Sequence, residues 1–373
     1  MKVALLTNGI HPYIIGGIQK HSFYLIKYLV KINVHVDVYH FKNLNSEGDH
    51  LFSKKELLFI NLIEFPFPKS MKFPGHYIYN NFMLSKEYYK EAIKTEYDFI
   101  YGQGFTAWYF LKKHPFQKNI ISNLHGLEMF QISINFRNKL EQFLLRIPAN
   151  EIIKNSYKQV SLGGQLSNLL YDNGARKKSV VEVPNGIDSS WFIKPEDLKE
   201  NNNNKLLKLI FIGRYERRKG VEELNEVINN TIENFNYQID FIGPIPIDKQ
   251  IKNKNIRYLG LIKDSKVIRD RLIDSDILLC PSHSEGMPTV ILEAMASGCA
   301  IIATDVGAVS LMVNFENGWV IQGDIREGLE KYIKEALLLS NKELLEFKQN
   351  SLKKITNKFS WEEIIKKTMK ILK

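Results

Sequence analysis

The sequence predicts an α/β fold of two Rossmann-like domains. Three observations predict it. Residues 276–306, DILLCPSHSEGMPTVILEAMASGCAIIATDV, read as an apolar strand (Ile277 to Cys280), a polar loop (Pro281 to Met287), a short helix opening at Pro288, a Gly298 stop and a second apolar strand from Ala300. That is one β-loop-α-β unit of a parallel sheet. The chain opens in a similar way, with VALLTN (3–8), a loop, apolar positions Ile18, Leu25, Leu29 and Ile32 at helical spacing, and then the alternating strand VHVDVYHF. At 373 residues it is long enough for two full cores.

Composition narrows the class. With 44% hydrophobic and 25% charged residues the chain falls among soluble globular proteins. No apolar run approaches the roughly 18 residues of a membrane span. The opening MKVALLTNGIHP carries one lysine and an apolar run broken by Asn8 and Gly9, so it reads as a first strand and not a signal peptide, and a cytoplasmic location is expected. The two cysteines, Cys280 and Cys299, have neither the number nor the spacing of a disulfide framework or a zinc site and read as buried thiols. Against 41 Asp+Glu, 51 Lys+Arg leave a formal charge of +10. Diffuse lysines on solvated faces account for most of it; a basic surface meeting anionic lipid is the sharper reading. Nucleic acid is set aside, because no binding motif or Gly-Arg tract is present.

In chain order, Gly16 and Gly17 sit at the mouth of the first helix, where glycines let a backbone approach a ligand and leave amides pointing outward. A plain tight turn reads equally well there. The loop is not a GxGxxG fingerprint, and no acid occupies the ribose position of one. Between Asn43 and Lys94, Pro66, Pro68 and Pro74 and the aromatic clusters FPFP and HYIYNNF predict a variable loop and two helices. Strand signal returns at YDFIYGQG (97–104) and NIISNLHG (119–126), both ending in glycine loops at one sheet edge. His125 follows the second of these strands. A lone histidine is more often a hydrogen-bonded structural residue than a functional one, and at this point both readings of His125 stand. Trp108 and Tyr109 could stack on a ligand ring or fill the core, and core is favoured. From Met129 to Tyr157 the pattern is helical, with Phe130, Phe136, Leu140, Phe143 and Leu144 on one side and Arg137, Lys139 and Arg146 among the rest. Such a stretch can lie on a membrane surface, although packing on its own domain is favoured. QVSLGG, QLSNLLYDNG and SVVEVP complete this half as strand, helix and strand, and PNGID (184–188) suits a hinge.

The tract NNNN (201–204) is a polar loop, and LLKLIFIGRYERRKGVEELNEVI opens the second half. Its strand ends at Gly213 and its helix starts near Gly220, which leaves Arg214 and Lys219 on the loop. Arginine grips an oxyanion in a bidentate fork and lysine supplies a mobile point charge, so this pair suits a phosphate. Arg217 and Arg218 read as solvated charges, or as a salt bridge with Glu222. FIGP (241–244) and IRYLGLI (256–262) give further strand ends, where the backbone of Leu261 or Ile262 could meet a nucleotide base. The triplet Asp274-Ser275-Asp276 looks like a metal-binding D-x-D, but it reads as a helix end before a buried strand, and no metal site is predicted. Pro288 suits the first helical position, so the amides of Thr289 and Val290 are free to hold an anion at the positive end of the helix. Glu285 and Glu293 frame that anion site. Acids cannot themselves bind phosphate, so the ligand implied has hydroxyls on both sides of a diphosphate, which a nucleotide sugar fits. The chain ends KFSWEEIIKKTMKILK, a helix with Phe359, Trp361, Ile364, Ile365 and Ile371 available for one apolar stripe.

Glu285 and Glu293 are the ends of an E-x7-E pattern, which alone occurs by chance in many helical proteins. Set in SEGMPTVILEAMASGCAIIATDVGA, with Gly286, Pro288, Ala294, Ala296 and Gly298 in register, it resembles the signature of retaining GT-B glycosyltransferases, family 4 (glycosyl transferases group 1) in particular. The resemblance is dense from Leu207 to Val320 and thinner before Ser179. It implies the GT-B fold: an acceptor-binding domain (1–185) and a nucleotide-sugar-binding domain (186–355) facing across a cleft, with a final helix (356–373) crossing back to the first domain. It implies transfer of a hexosyl group, with retained configuration, from a nucleotide diphosphate sugar to a glycan or lipid-linked acceptor in cell-surface polysaccharide assembly. UDP is the default nucleotide by family frequency, and no metal cofactor is implied. By the same resemblance Glu285 and His125 lie beside the donor sugar, and Arg214 and Lys219, in the arrangement GR-x4-KG, hold the diphosphate. Met287, Pro288, Thr289, Val290 and Ile262 join the donor site, Glu293 binds the ribose, and Gly16, Gly17 and His21 belong to the loop on the acceptor side. A retaining glycosidase scheme needs a second carboxylate that the sequence does not offer, so a front-face displacement assisted by the leaving phosphate is expected. Gln103 stands where many relatives carry His, and LGGQLS replaces a commoner strand ending in serine; both departures bear on acceptor identity more than on chemistry. An epimerase of the same fold, a nucleotide-sugar-binding protein without chemistry, and a regulator docked on an anionic membrane are the rival readings. The expected location is cytoplasmic, with peripheral contact at the inner face of the plasma membrane.

Overall fold

The structure, a computed structural model, describes residues 1–14, 16–41, 51–66, 75–133, 136–198, 206–230 and 236–373. The chain divides into two compact units, Met1–Asn185 with Trp361–Lys373, and Gly186–Ser360.

The first unit runs β1 (Lys2–Leu6), α1 (Gly17–Lys31), β2 (His35–Phe41), β3 (Ile60–Phe65), α2 (His76–Ala92), β4 (Phe99–Gln103), α3 (Trp108–Lys113), β5 (Ile120–Asn123), α4 (Phe136–Asn155), β6 (Lys158–Ser161), α5 (Gln165–Asp172) and β7 (Val180–Glu182). Its sheet is parallel throughout, in the order β3-β2-β1-β4-β5-β6-β7. The strand order reverses between β1 and β4, and the crevice beyond the carboxyl ends of such a pair is where open α/β sheets take ligands.

The second unit runs β8 (Leu207–Ile212), α6 (Val221–Asn230), β9 (Tyr237–Ile242), β10 (Ile256–Tyr258), α7 (Ser265–Ile273), β11 (Ile277–Cys280), α8 (Thr289–Ala296), β12 (Ala300–Thr304), α9 (Val309–Met312), β13 (Gly318–Ile321), α10 (Ile325–Leu338) and α11 (Asn341–Phe359). Its parallel sheet has the order β10-β9-β8-β11-β12-β13, and its reversal falls between β8 and β11. Every residue of β11 and β12 is buried, because helices cover a parallel sheet on both faces. That is why ILLC and AIIAT read as continuous apolar runs. The last helix, α12 (Trp361–Ile371), packs in the first unit, where Trp361 is 1% exposed and stacks on Tyr24 and Tyr28 of α1.

Several elements differ from the sequence expectation. Among the described residues of segment 43–94 there are a strand, β3, and one long helix, α2, where two helices were expected; residues 43–50 and 67–74, Pro68 and Pro74 among them, lie outside the described residues. β3 pairs with β2 alone and buries only Ile60 fully, so an edge strand shows little apolar alternation. The final helix starts at Trp361. The residues before it form α11, whose capping box joins Ser340 and Glu343, and extended backbone at Ser360 separates the two helices. Pro288 is the N-cap of α8 and Thr289 its first residue. In α4, Ile152 and Ile153 are buried while Leu140, Phe143 and Ile147 are exposed, so only its second half packs as a core helix. Trp108 is buried, and its indole N–H donates to Glu151 at 2.7 Å. The aspartates of the D-x-D triplet each meet a lysine: Asp274 pairs with Lys208 at 2.8 Å and buried Asp276 with buried Lys348 at 3.0 Å, tying α11 to the start of β11. The NNNN tract lies outside the described residues.

Candidate active site

In the second unit, the loops leaving β8 and β11 meet at the reversal of strand order. Close approach of these loops depends on Gly220, which has a φ of 68° and where a Cβ would overlap the carbonyl oxygen of Pro281. The contact brings Lys219 to Glu285: Nζ donates to Oε1 at 2.5 Å. Ser282 Oγ donates to the same oxygen at 2.8 Å, and Arg218 Nη1 stands 3.6 Å from Oε2. Glu285 is 7% exposed, so a buried carboxylate is held by a cation and a hydroxyl, the condition under which burying it is tolerable. From behind, Gly307 presses on the backbone of Glu285 and Gly286, where any side chain would overlap both carbonyls, and the Ala308 amide donates to the Gly286 carbonyl at 2.9 Å.

Beside this pair lies a second charged cluster. Glu223, in the first turn of α6 and 1% exposed, takes two contacts from Arg217, Nη2 to Oε1 at 2.5 Å and Nη1 to Oε2 at 2.8 Å. His283 Nε2 lies 2.9 Å from Glu223 Oε1, and the His283 amide donates to the Arg218 carbonyl at 2.7 Å. Burial pushes the Glu223 carboxyl up, but the Arg217 hydrogen bond, its own backbone amide and the nearness of His283 and Arg217 outweigh it and hold it below the usual range. The cluster ties the His283 end of one loop to the Arg217 end of the other. Arg217 and Arg218 are therefore not simply solvated charges. Arg217 does reach Glu222, at 3.4 Å, yet its main partner is buried Glu223, and Arg218 bridges Glu216 and Glu285. Sequence reasoning missed Glu223, although its place among Val221, Leu224 and Val227 on the apolar side of α6 was a signal for it.

The other predicted residues are placed as follows. Arg214 is mostly exposed and reaches Glu216 at 3.0 Å, whereas Lys219 turns to Glu285. Pro288 makes no side-chain cap, so the first amides of α8, at Thr289 and Val290, depend for partners on what lies beyond the helix end. Glu293 on α8 is 8% exposed, Met287 is buried, and Ile262 is half-buried next to exposed Leu261. Cys280 and Cys299 are buried thiols, pushed by burial up to about 11 and about 12.

In the first unit, the strand ends gather a different chemistry. Gly16 caps α1 and Gly17 begins it, with open space where a Gly17 Cβ would stand. His21, one turn into α1, packs edge-on against His125, with ring centroids 4.8 Å apart. His125 follows β5 with a φ of 60°, and Asn123 Oδ1 accepts its amide at 2.9 Å. The buried carboxamide of Gln103, at the end of β4, joins the two imidazoles, a link no sequence pattern announced. Burial drives the His21 imidazole down to about 4, and burial together with His21 lowers His125 well below the ordinary histidine range.

Residues 207–338 match the family model described as glycosyl transferases group 1, so the second unit carries a transferase domain of the glycosyltransferase class. The chain is 37% identical over 134 residues to TuaC of Bacillus subtilis, a glycosyltransferase named for teichuronic acid biosynthesis, covering 34% of each chain. It is 28% identical over 230 residues to the capsular polysaccharide biosynthesis glycosyltransferase CapM of Staphylococcus aureus, covering 55% of this chain and 59% of CapM. With the uncharacterized glycosyltransferase MJ1178 of Methanocaldococcus jannaschii it shares 25% identity over 383 residues, 100% of this chain and 97% of that one. The chain thus spans about a third of TuaC, over half of CapM and nearly all of MJ1178. Among solved structures it is similar to sucrose-phosphate synthase from Thermosynechococcus elongatus, with a TM-score of 0.80 at 16% identity over 99% of this chain and 98% of that one. It is also similar to Anabaena HepE in complex with UDP and glucose, with a TM-score of 0.70 at 16% identity over 100% and 99%. The fold is GT-B.

Proposed function

We propose, from the premise of a group 1 glycosyl transferase domain at residues 207–338, that this protein is a retaining family 4 glycosyltransferase. It moves a hexosyl group from a UDP-sugar to a glycan or lipid-linked acceptor in cell-surface polysaccharide assembly, without a metal cofactor. The observation that carries the reading is the Lys219–Glu285 pair beside the open end of α8, at the strand reversal of the second unit. The names of TuaC and CapM support the pathway, and the UDP and glucose bound to HepE support the donor.

In this reading, negative charge grows on the departing diphosphate, and stabilisation must be aimed there. Lys219 supplies a point charge held in place by Glu285, and the amides of Thr289 and Val290 supply the positive end of a helix dipole. Arg214, on its longer reach, closes on the outer phosphate. Glu285 orients the sugar and faces the positive charge that develops on it, while Glu293 takes the ribose hydroxyls. One face of the sugar carries both the leaving phosphate and the incoming hydroxyl, and no covalent glycosyl-enzyme forms. The exposed side chains Leu140, Phe143 and Ile147 on α4, with exposed Lys139 and Arg146 nearby, support peripheral contact with anionic lipid. No helix among the described residues is long and apolar enough to cross a membrane.

A thermal-shift panel of UDP-, GDP- and ADP-sugars tests the donor, and acceptor-dependent release of the nucleoside diphosphate tests the reaction. A shift with UDP-sugars and release that rises with acceptor support the reading. Conversion of the nucleotide sugar in the absence of acceptor would replace it with an epimerase, and a shift without any release would replace it with a binding protein.

A further inference from the structure

In the first unit, the carboxamide of Gln103 lies between two imidazoles. Its Oε1 meets His125 Nε2, and its Nε2 stands 3.1 Å from His21 Nδ1. All three side chains are buried, Gln103 completely. A carboxamide accepts at one end and donates at the other, so the two rings cannot choose their protonation independently. Oxygen towards His125 requires that ring to donate from Nε2–H. Nitrogen towards His21 requires that ring to accept at Nδ1. Both rings then carry their single proton on Nε2 and leave Nδ1 bare, whereas a reversed amide would put both protons on Nδ1. The surroundings favour uncharged rings: the imidazoles pack edge-on, and the Trp361 ring centroid is 5.3 Å from that of His21.

The backbone of His125 is held with equal care. Its φ of 60° is left-handed, a conformation that persists only where neighbours enforce it. Asn123 does so, accepting the His125 amide at 2.9 Å while its own Nδ2 donates to the Tyr101 hydroxyl at 3.2 Å. Gln103 ends β4, one of the two strands at the reversal of sheet order. No described residue is hydrogen-bonded to His125 Nδ1.

We propose that Gln103 is a positioning residue that fixes His125 as the Nε2–H tautomer, so that the ring offers its Nδ1 lone pair to a sugar hydroxyl and offers no donor to a phosphate or carbonyl oxygen. The functional half of this proposal rests on the reading of the protein as a glycosyltransferase; the tautomer half does not.

The test is nitrogen NMR of 15N-histidine-labelled protein without substrate at pH 7.5, with H21Q and H125Q used to assign the two rings. In the unmodified protein both rings should show a protonated Nε2 and a bare Nδ1. Both protons on Nδ1, or a mixture, would overturn the proposal. In Q103L the His125 tautomers should become mixed, and in Q103E, which keeps the accepting oxygen, His125 should stay in the Nε2–H form. An unchanged His125 signal in Q103L would also overturn it. Kinetics use the nucleotide sugar that gives the largest thermal shift. There kcat/KM should fall about tenfold in Q103L, the size of one lost hydrogen bond, and recover in Q103E. Mixed tautomers with unchanged kcat/KM would remove the functional half. Failure of every nucleotide sugar would count against the glycosyltransferase reading, while the spectra still decide the tautomer.

Discussion

Lys219 Nζ and Glu285 Oε1 are 2.5 Å apart, on loops that leave neighbouring strands β8 and β11 where the order of the sheet reverses. The two groups neutralise one another in the unliganded protein and hold each other in one place. In the proposed reaction a diphosphate arriving at α8 meets a cation already aimed, and a sugar meets a carboxylate held in place by Lys219, Ser282 and Arg218. Preorganisation of this kind is what makes charge effective in a transition state.

Removing either partner should cost turnover. Lys219→Ala should lower kcat about a hundredfold, the usual scale for one lost donor to a developing anion. Glu285→Gln should fall comparably, and the double variant should lose far less than the product of the two, because the residues act as a unit. Steady-state release of the nucleoside diphosphate measures all three. Mass spectrometry should find no glycosyl adduct on Glu285→Gln or on the unmodified enzyme. A trapped adduct would replace front-face displacement with a covalent route.

Glu223 touches no predicted ligand, yet it anchors both loops through Arg217 and His283. Glu223→Ala leaves a guanidinium and an imidazole without their buried partner and should destabilise the second unit by about 3 kcal/mol. Arg217→Ala takes the guanidinium from the buried carboxylate, leaving it His283, and should cost a similar amount. Urea denaturation followed by circular dichroism measures both. A loss under about 0.5 kcal/mol, the range of ordinary surface substitutions, would show that the cluster is not what holds the loops together.

Much of this site was legible in the sequence, for physical reasons. Continuous apolar runs such as ILLC and AIIAT mark strands buried on both faces, and Gly220 and Pro288 mark helix starts. These signals are local. What the sequence hid are pairings set by tertiary contact. Lys219 and Glu285 are 66 positions apart, and in the sequence they read as contacts to different parts of one ligand, the diphosphate and the sugar, with no pairing between them. Gln103 reads as a departure from a familiar pattern until the ends of β4 and β5 place it between two imidazoles. β3 was missed because an edge strand need not alternate, and the start of α12 was misplaced because apolar positions continue across Ser360 from one helix to the next.

Acid should destabilise the first unit through its buried histidines. His21 titrates near 6.5 when unfolded and is pushed down to about 4 when folded, so between those values the unfolded chain binds the extra proton. The stability this residue contributes is fully present above pH 6.5 and is lost as pH falls towards 4, by about 3 kcal/mol in all and about 2 kcal/mol by pH 5. His125, which faces it along with Gln103 and Trp361, acts in the same direction. Comparison with His21→Gln isolates the effect: the difference in urea midpoint between variant and parent should shift in favour of the variant on going from pH 7.5 to 5. A difference independent of pH would mean that His21 titrates alike in the folded and unfolded states, against the lowered folded value.

The exposed stripe on α4 gives the last prediction. Leu140, Phe143 and Ile147 recur at three and four residues, so they share one helix face, and each is more than half exposed. Exposed Lys139 and Arg146 fall together on one flank of that stripe, by their spacing of seven. Insertion of the apolar stripe and attraction of the basic flank should act together on a membrane. Binding to vesicles containing phosphatidylglycerol should therefore exceed binding to phosphatidylcholine vesicles, and should weaken between 50 and 500 mM salt, as screening shortens to about 4 Å. Phe143→Glu should reduce sedimentation with the vesicles at both salt concentrations, because it removes the apolar anchor and adds a repelling charge. Lys139→Gln with Arg146→Gln should reduce it mainly at low salt. Equal sedimentation of all variants would place membrane contact, if it occurs, on another face of the protein.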